Sequence, residues 1–331
     1  MNLKNFFKNK KILVAGGTGL VGIQVIKLLD NFCSKIISVS LDNFKLNNRN
    51  IKFIKADLRD INVCRKLTKN IDVVINLAGV AGSPQITRKK PSSIFTPNIL
   101  FAINLLDAAI TNKVKTFLYT SSYGVYNPLS QMKENENIWN EKLSENDLFG
   151  GWAKRTAELH VKSALIENPN MIIPIVRPSN IFGPYGNFDK ENAMVVPSLI
   201  RKISSSPKIV KMYGDGTQVR DFVFSADIAK MMLKIISKQK NGTFNLGSGK
   251  GMSIKQLANK IKLYSNSKSK LIFEKQKFAG DKKRVLDISK IKKEKYFYKT
   301  DFDKAIKETI EWYKKNKNLY KKRFNSFLEI N

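Results

Sequence analysis

An α/β architecture, a doubly wound parallel sheet with a smaller C-terminal α/β lobe, is what this sequence predicts. Three observations carry the prediction. Short apolar runs rich in β-branched residues alternate with helical patterns from Lys11 to about Arg177, the order a parallel sheet with crossover helices requires. The first apolar run ends in a glycine-rich turn that opens into a helical pattern. Beyond Arg177 the alternation loosens, so a differently built part follows.

Lys11-Ile12-Leu13-Val14-Ala15 reads as a buried parallel strand. It runs into Gly16-Gly17-Thr18-Gly19-Leu20-Val21-Gly22 and then into the helical pattern Ile23–Leu29. Strand, glycine turn and helix in that order form a Rossmann-type phosphate-binding signature. Gly16 permits the tight turn, Gly19 lets the backbone approach a pyrophosphate, and Gly22 lets the helix pack close to the strand. Leu20 and Val21 complete the turn, and the helix N-terminus offers free N–H groups and its positive dipole end to phosphates.

A second strand, Ile36–Leu41, ends at Asp42. That is about where a carboxylate would accept hydrogen bonds from the adenosine ribose, and it would repel a 2′-phosphate, which favours NAD over NADP. Asn43 and Lys45 leave NADP open. Asp57-Leu58 follows a third strand, Ile51–Ile54, and is expected near the adenine. A fourth strand, from Val73, ends in Leu77-Ala78-Gly79, small enough for the dinucleotide to pass close by. A helix is expected over 98–109, a fifth strand over 116–121, a polar excursion over 131–147, a helix over 152–167 and a sixth strand over 172–176. After these come helices over 196–203, 254–264 and 302–313, and a short strand at Phe244-Asn245-Leu246. The dinucleotide-binding part is thus residues 1–177, with chain from about 215 to 250 crossing back to it. Residues 178–331 form mainly the second lobe, and the cleft between the two lies at the carboxyl ends of the strands.

Composition narrows the classes. His160 is the single histidine, so histidine-rich metal sites are excluded; its helical position suits a structural or surface role, and no metal site is expected. Cys33 and Cys64 lack motif spacing and read as reduced thiols of a cytoplasmic protein. No apolar run reads as long enough to span a bilayer, and the N-terminus is too short and polar for a secretory signal. The net charge of +32 attracts polyanions. The lysines are dispersed, however, so a solvated basic face is the plainer expectation. The basic stretches from Lys282-Lys283-Arg284 to Lys321-Lys322-Arg323, with the aromatic interleaving of Lys295-Tyr296-Phe297-Tyr298-Lys299, are the candidates for nucleic acid.

The ordered set Gly16–Gly22, Asn76-Leu77-Ala78-Gly79, Ser121-Ser122-Tyr123-Gly124-Val125-Tyr126, Lys154, Arg177-Pro178-Ser179-Asn180-Ile181-Phe182-Gly183-Pro184 and Arg220-Asp221-Phe222-Val223 resembles the extended short-chain dehydrogenases. These are the NAD-dependent nucleotide-sugar epimerases, dehydratases and reductases. Gly183–Asp189 and Val195–Arg201 look most like the GDP-fucose synthase branch. The resemblance implies that Ser122 hydrogen-bonds a sugar hydroxyl or ketone, and that Lys154 holds the nicotinamide ribose and lowers the pKa of a nearby phenol. It implies that Asn180 and Arg220 contact the substrate nucleotide; the alternative for Arg220 is an ion pair with Asp221 or Asp227. It also implies a homodimer, built from the apolar faces Ile103-Leu106-Ala109-Ile110 and Ala157-Val161-Ala164-Leu165 unless these are covered within one subunit.

Three positions depart from the pattern. Gly150 stands where the family carries the tyrosine of its Tyr-x-x-x-Lys pair, Met194 where the fucose-synthase branch has its acid–base histidine, and Gly124 where that branch has a cysteine. Epimerisation at C3 and C5, and dehydration, therefore lack their usual proton donors. Tyr123 is the candidate replacement for the phenol, entering the space vacated at Gly150 or else packing beneath the rim. The implied function is an NAD-dependent nucleotide-sugar epimerase or reductase acting at C4 of a GDP- or UDP-hexose. The alternative is a catalytically idle member of the fold that binds a dinucleotide or RNA.

Overall fold

The structure is a computed structural model, and it describes residues 3–30, 32–33, 35–42, 50–274, 280–318, 324 and 327. Asn43, Lys45 and Lys321-Lys322-Arg323 lie outside the described residues.

The strands are β1 (Lys11–Ala15), β2 (Lys35–Ser40), β3 (Ile51–Lys55), β4 (Val73–Asn76), β5 (Thr116–Thr120), β6 (Pro174–Pro178), β7 (Asn180–Phe182), β8 (Ile209–Tyr213), β9 (Val219–Phe224), β10 (Gly242–Leu246), β11 (Gly251–Ser253), β12 (Lys270–Glu274) and β13 (Lys283–Arg284). A seven-stranded sheet in the order β10-β6-β5-β4-β1-β2-β3 forms the centre, and every pair in it is parallel. Alternate residues of β1 serve opposite layers. Ile12 and Val14 pack in one apolar core, Leu13 and Ala15 in the other, as the two-residue repeat of a strand buried on both faces dictates. The order reverses beside β1 and β4, so a crevice opens above their carboxyl ends.

The second lobe has its own core, in which Phe182, Phe188 and Phe224 pack against the helices Val195–Ser204, Ile254–Tyr264 and Phe302–Lys315. Its sheet joins β7, β11 and β13 to β9, and β8 pairs with β12 separately.

Five differences from the sequence expectation stand out. The helix expected from residue 98 begins at Ser92 and runs through Pro97 to Thr111. Proline disfavours helix in the residue before it, but the buried Asn98 side chain donates to the Ile94 carbonyl at 2.8 Å and supports the turn. By length and composition this helix could cross a membrane, contrary to expectation; half of its most apolar stretch is buried, as in a core helix apolar toward both sheet and neighbour. The next helix begins at Leu148, not Trp152, and includes both Gly150 and Gly151. The helix Ser225–Ser237 was not expected; most of it is buried, and Asp227, Lys230 and Lys234 recur along it at helical spacing. The faces expected to form a dimer are largely internal: Leu106, Ala109, Ala157, Val161 and Ala164 belong to one core cluster within the chain.

Candidate active site

The glycine turn is built as a backbone cradle. Gly16 has φ +74° and donates to the Val39 carbonyl at 2.8 Å, while a Cβ there would meet the Leu77 carbonyl oxygen at 2.8 Å. A Cβ on Gly22 would run into the Gly16 carbonyl. These positions demand glycine, by conformation at Gly16 and by close approach at Gly22. Above them opens a cavity of about 400 Å³, lined by Gly16, Gly19, Leu20, Val21, Gly22, Leu77 and Gly79 on one side and by Gly183, Tyr185 and Met194 on the other. Asp42 stands beside the turn, buried, with Oδ2 accepting from Thr18 Oγ1 at 2.5 Å. Backbone donors facing an open cavity, next to a carboxylate, fit the phosphates and ribose of a dinucleotide.

Asp57 pairs with Arg59 at 2.5 Å. Burial pulls its carboxyl up, but the hydrogen bonds from Arg59 outweigh burial and hold it below the usual carboxylate range. Leu58 is buried, and its carbonyl accepts from Cys64 Sγ at 3.3 Å. Ala78 N–H donates to Asn76 Oδ1 at 3.2 Å, which fixes the turn after β4.

Lys154 reaches the same cleft. Its Nζ donates to the Thr120 carbonyl at 2.7 Å and lies 5.3 Å from the centre of the Tyr119 ring. A Cβ on Gly79 would stand 3.8 Å from it. Burial pushes the Lys154 pKa down to about 8, and Glu158 one turn along the helix opposes that shift. One turn back is Gly150, where a Cβ would meet only Ile94 Cγ2, at 3.7 Å. The place of the absent tyrosine is open.

Tyr123 is bonded elsewhere. No atom of Tyr123 lies within 4 Å of the Gly150 Cβ position. Its hydroxyl donates to Asn180 Oδ1 at 3.1 Å, and its ring lies 4.3 Å below the Arg284 guanidinium. Burial raises the Tyr123 pKa against the pull of Arg284, so the phenol keeps its proton. Ser122 caps the short turn Tyr123–Val125, its Oγ accepting from Gly124 N–H at 3.0 Å.

Arg284 and Asp147 are the residues that sequence reasoning missed as parts of this site. Arg284 is buried, ion-paired with Asp147, 3.5 Å from Asp281, and donates to the Tyr123 carbonyl at 3.2 Å. Burial opposes its charge, but Asp147 and Tyr123 outweigh burial and raise its pKa. β13 pairs with β9 so that Arg284 stands opposite Arg220. Arg220 donates to the carbonyls of Val219 and Asp281 at 2.9 and 2.8 Å. Asp221 instead accepts from Ser248 and Gly249, and Asp227 from Thr300. The available signal was Arg284 itself, a basic residue leading into the apolar pair Val285-Leu286.

Beneath both walls lies a buried polar network. Arg177 forks onto Glu158 at 2.9 and 2.6 Å, Ser121 donates to Glu158 at 2.5 Å, and Tyr126 receives a bond from Arg177 and donates to Asn245, both at 2.8 Å. It ties β5, β6 and β10 to the Lys154 helix. Arg155 on that helix donates to the Val125 and Glu141 carbonyls at 2.9 Å, holding the polar excursion in place. His160 pairs with Asp107 at 2.9 Å between two helices, a structural position. Tyr296 is buried, and Phe297 and Tyr298, partly buried, pack against the same core, so the aromatics of the Lys295–Lys299 stretch are engaged in packing.

Residues 12–247 match the NAD dependent epimerase/dehydratase family. The chain belongs to this family. A putative UDP-glucose 4-epimerase of Methanocaldococcus jannaschii is 30% identical over 316 residues, covering 92% of this chain and 99% of the relative. A GDP-L-fucose synthase of Azorhizobium caulinodans is 24% identical, covering 95% and 99%. The fold is similar to the UDP-glucose 4-epimerase of Thermotoga maritima determined with UDP-glucose, with a TM-score of 0.82 at 26% identity over 92% of this chain and 99% of that one. The matched residues include the glycine turn, Gly150 and Lys154.

Proposed function

We propose that this chain is an NAD-dependent nucleotide-sugar oxidoreductase of the epimerase or reductase type, acting at C4 of a UDP- or GDP-hexose. The observation that supports it best is the glycine-turn cavity beside the buried Asp42, and Arg220 and Arg284, in register on β9 and β13, are the cations we assign to the diphosphate. Fixed guanidinium forks suit a diphosphate. The dinucleotide would lie along Gly16, Gly19, Leu20, Val21, Gly22, Leu77, Ala78 and Gly79, with Asp42 on the adenosine ribose and Asp57-Leu58 near the adenine. Asp42 favours NAD, and NADP remains compatible. When bound, the nicotinamide supplies hydride exchange with a sugar carbon.

The side chains then divide the remaining work. Ser122 offers a hydroxyl to the sugar oxygen. Lys154, charged below a pKa of about 8, holds the nicotinamide ribose and stabilises negative charge on that oxygen. Tyr123 acts from the substrate side as a hydrogen-bond and proton donor, a role its raised pKa suits better than that of a base. Asn180 positions Tyr123 and the nucleotide together. Met194 and Gly124 offer no acid or base where C3 and C5 epimerisation would need them.

The test is NAD⁺ with a panel of UDP- and GDP-hexoses, reading reduced nicotinamide by absorbance and sugar products by NMR, with Tyr123→Phe and Lys154→Ala beside the native chain. Turnover abolished in Lys154→Ala and reduced in Tyr123→Phe is expected. Full activity in Tyr123→Phe removes the tyrosine from the chemistry. Tight NAD⁺ binding without turnover on any sugar shifts the assignment to the idle binding protein that the empty Gly150 position also suits.

The homodimer reading moves to a different face. Phe149, Trp152, Leu159 and Ile166 are 43, 41, 54 and 82% exposed and share one stripe of the Leu148–Glu167 helix. A second copy packing this stripe would complete a helix bundle. Leu159→Glu is expected to convert a dimer to a monomer in light scattering; a native monomer ends the idea.

A further inference from the structure

The cavity above the glycine turn is shared with two residues from far along the chain. Phe324 and Phe327 line it beside Gly16, Gly19 and Leu20. Phe327 is 3% exposed. Its ring stands where a Cβ on Gly82 would approach within 2.9 Å, and its carbonyl accepts from Lys90 Nζ at 2.5 Å. The Phe324 N–H donates to Asp42 Oδ1 at 2.6 Å, while Oδ2 accepts from Thr18. Both oxygens of the buried carboxylate beside the glycine turn are thus engaged by the chain itself.

We infer that Phe324 and Phe327 form an internal plug that competes with the adenosine half of the dinucleotide for this cavity. The inference rests on reading the cavity as the dinucleotide site. A ribose diol is a donor pair, and the acceptor it needs on Asp42 is the oxygen that Phe324 N–H takes. Phe324 N–H takes up part of the acceptor capacity that a ribose diol needs on Asp42, and Phe327 fills apolar space in the same cavity. A competitor on the same chain acts at an effective concentration on the order of millimolar. A plug seated about nine-tenths of the time weakens apparent affinity about tenfold. Cofactor capture is therefore coupled to release of the C-terminal aromatics, and any partner that binds those aromatics would raise the affinity for cofactor.

The experiment uses the full-length chain. Phe327→Ser removes the ring, and Phe324→Pro removes the N–H while leaving Phe327 in place. Calorimetric titration with NAD⁺ is expected to show each variant binding about tenfold tighter than the native chain. In the native chain, saturating NAD⁺ is expected to speed tryptic cleavage after Arg323 several-fold, read by release of the Phe324–Asn331 peptide in mass spectrometry. Equal or weaker NAD⁺ binding by both variants, or protection of that bond by NAD⁺, overturns the plug and leaves the cofactor assignment standing. Failure of native chain and variants alike to bind NAD⁺ or NADP⁺ overturns both. Binding seen only in the variants supports the plug in its strongest form.

Discussion

The two walls of the cleft are made of different material. The dinucleotide wall is mostly backbone: a glycine turn, the ends of β1 and β4, and a helix N-terminus, with Lys154 reaching in from the side. The wall we assign to the substrate is mostly side chain: Tyr123, Asp147, Asn180, Arg220, Asp281 and Arg284, drawn from distant segments and held by mutual ion pairs and hydrogen bonds. A backbone wall is fixed by the fold and tolerates few changes of shape. A side-chain wall can be re-specified residue by residue, and it is where the departures Tyr123 and Gly124 sit.

The largest expected effect separates the walls outright. Arg284→Met removes a buried, paired cation and strands Asp147 and Asp281. Breaking such a buried pair destabilises the fold by about 3–5 kcal/mol, and on the assignment of Arg284 to the diphosphate nucleotide-sugar affinity is expected to fall with it. NAD⁺ affinity, measured by titration on the same preparation, is expected to stay within about twofold. A parallel loss of both would mean that the walls form one unit and that the division drawn above is wrong.

Lys154→Met breaks the comparison from the other side. Turnover is expected to fall by about a hundredfold with nucleotide-sugar affinity little changed. Stability carries a separate signature. The folded pKa of about 8 lies below the ordinary 10.5 of a lysine, so between those values the unfolded chain binds the proton that the folded chain has lost. Stability contributed by this group therefore rises with pH across about 8 to 10.5, by at most about 3 kcal/mol, and none of that rise exists below the window. Urea melts of native chain and Lys154→Met at the two ends of the window isolate the term, since other groups titrate in both. A native curve that rises no more than the variant's would show that Lys154 is solvated in solution.

The same difference in material explains what could be read from the sequence. The glycine turn occupies seven consecutive residues, and its order of strand, turn and helix is itself the signal. The central sheet was legible because a strand buried on both faces leaves a continuous apolar run. Arg284 was not legible, because its partners stand 137 and 161 residues away, at Asp147 and Tyr123, and in sequence it is one basic residue among many. The Ser225–Ser237 helix was missed although Asp227, Lys230 and Lys234 recur at helical spacing among its apolar residues. Tyr123 was found as a residue but not placed; local pattern gave its position just past β5, while its ring direction depends on packing with Arg284 and the bond to Asn180.

The smallest effect asks why the tyrosine position is empty. Gly150 and Gly151 are neighbours in one helix, yet only Gly151 is required by packing: a Cβ there would meet the Gly124 carbonyl at 2.7 Å and Leu143 Cδ1 at 2.9 Å. At Gly150 the nearest atom would be 3.7 Å away. Gly151→Ala is accordingly expected to destabilise by about 1–3 kcal/mol through overpacking, whereas Gly150→Ala is expected to stabilise by about 0.5–1 kcal/mol by removing a flexible residue from a helix. Thermal melts of the two variants test this. A gain at Gly150 means that the fold does not need glycine there, so the missing phenol belongs to the chemistry of the cleft. In that case Gly150→Tyr, which places a phenol one turn from Lys154, is expected to fold and to change turnover, and a rise would identify proton transfer as the step that the native cleft performs slowly. A loss of stability in Gly150→Ala would instead make the empty position a requirement of the helix, with Tyr123 and Arg284 the parts of the cleft that adjusted to it.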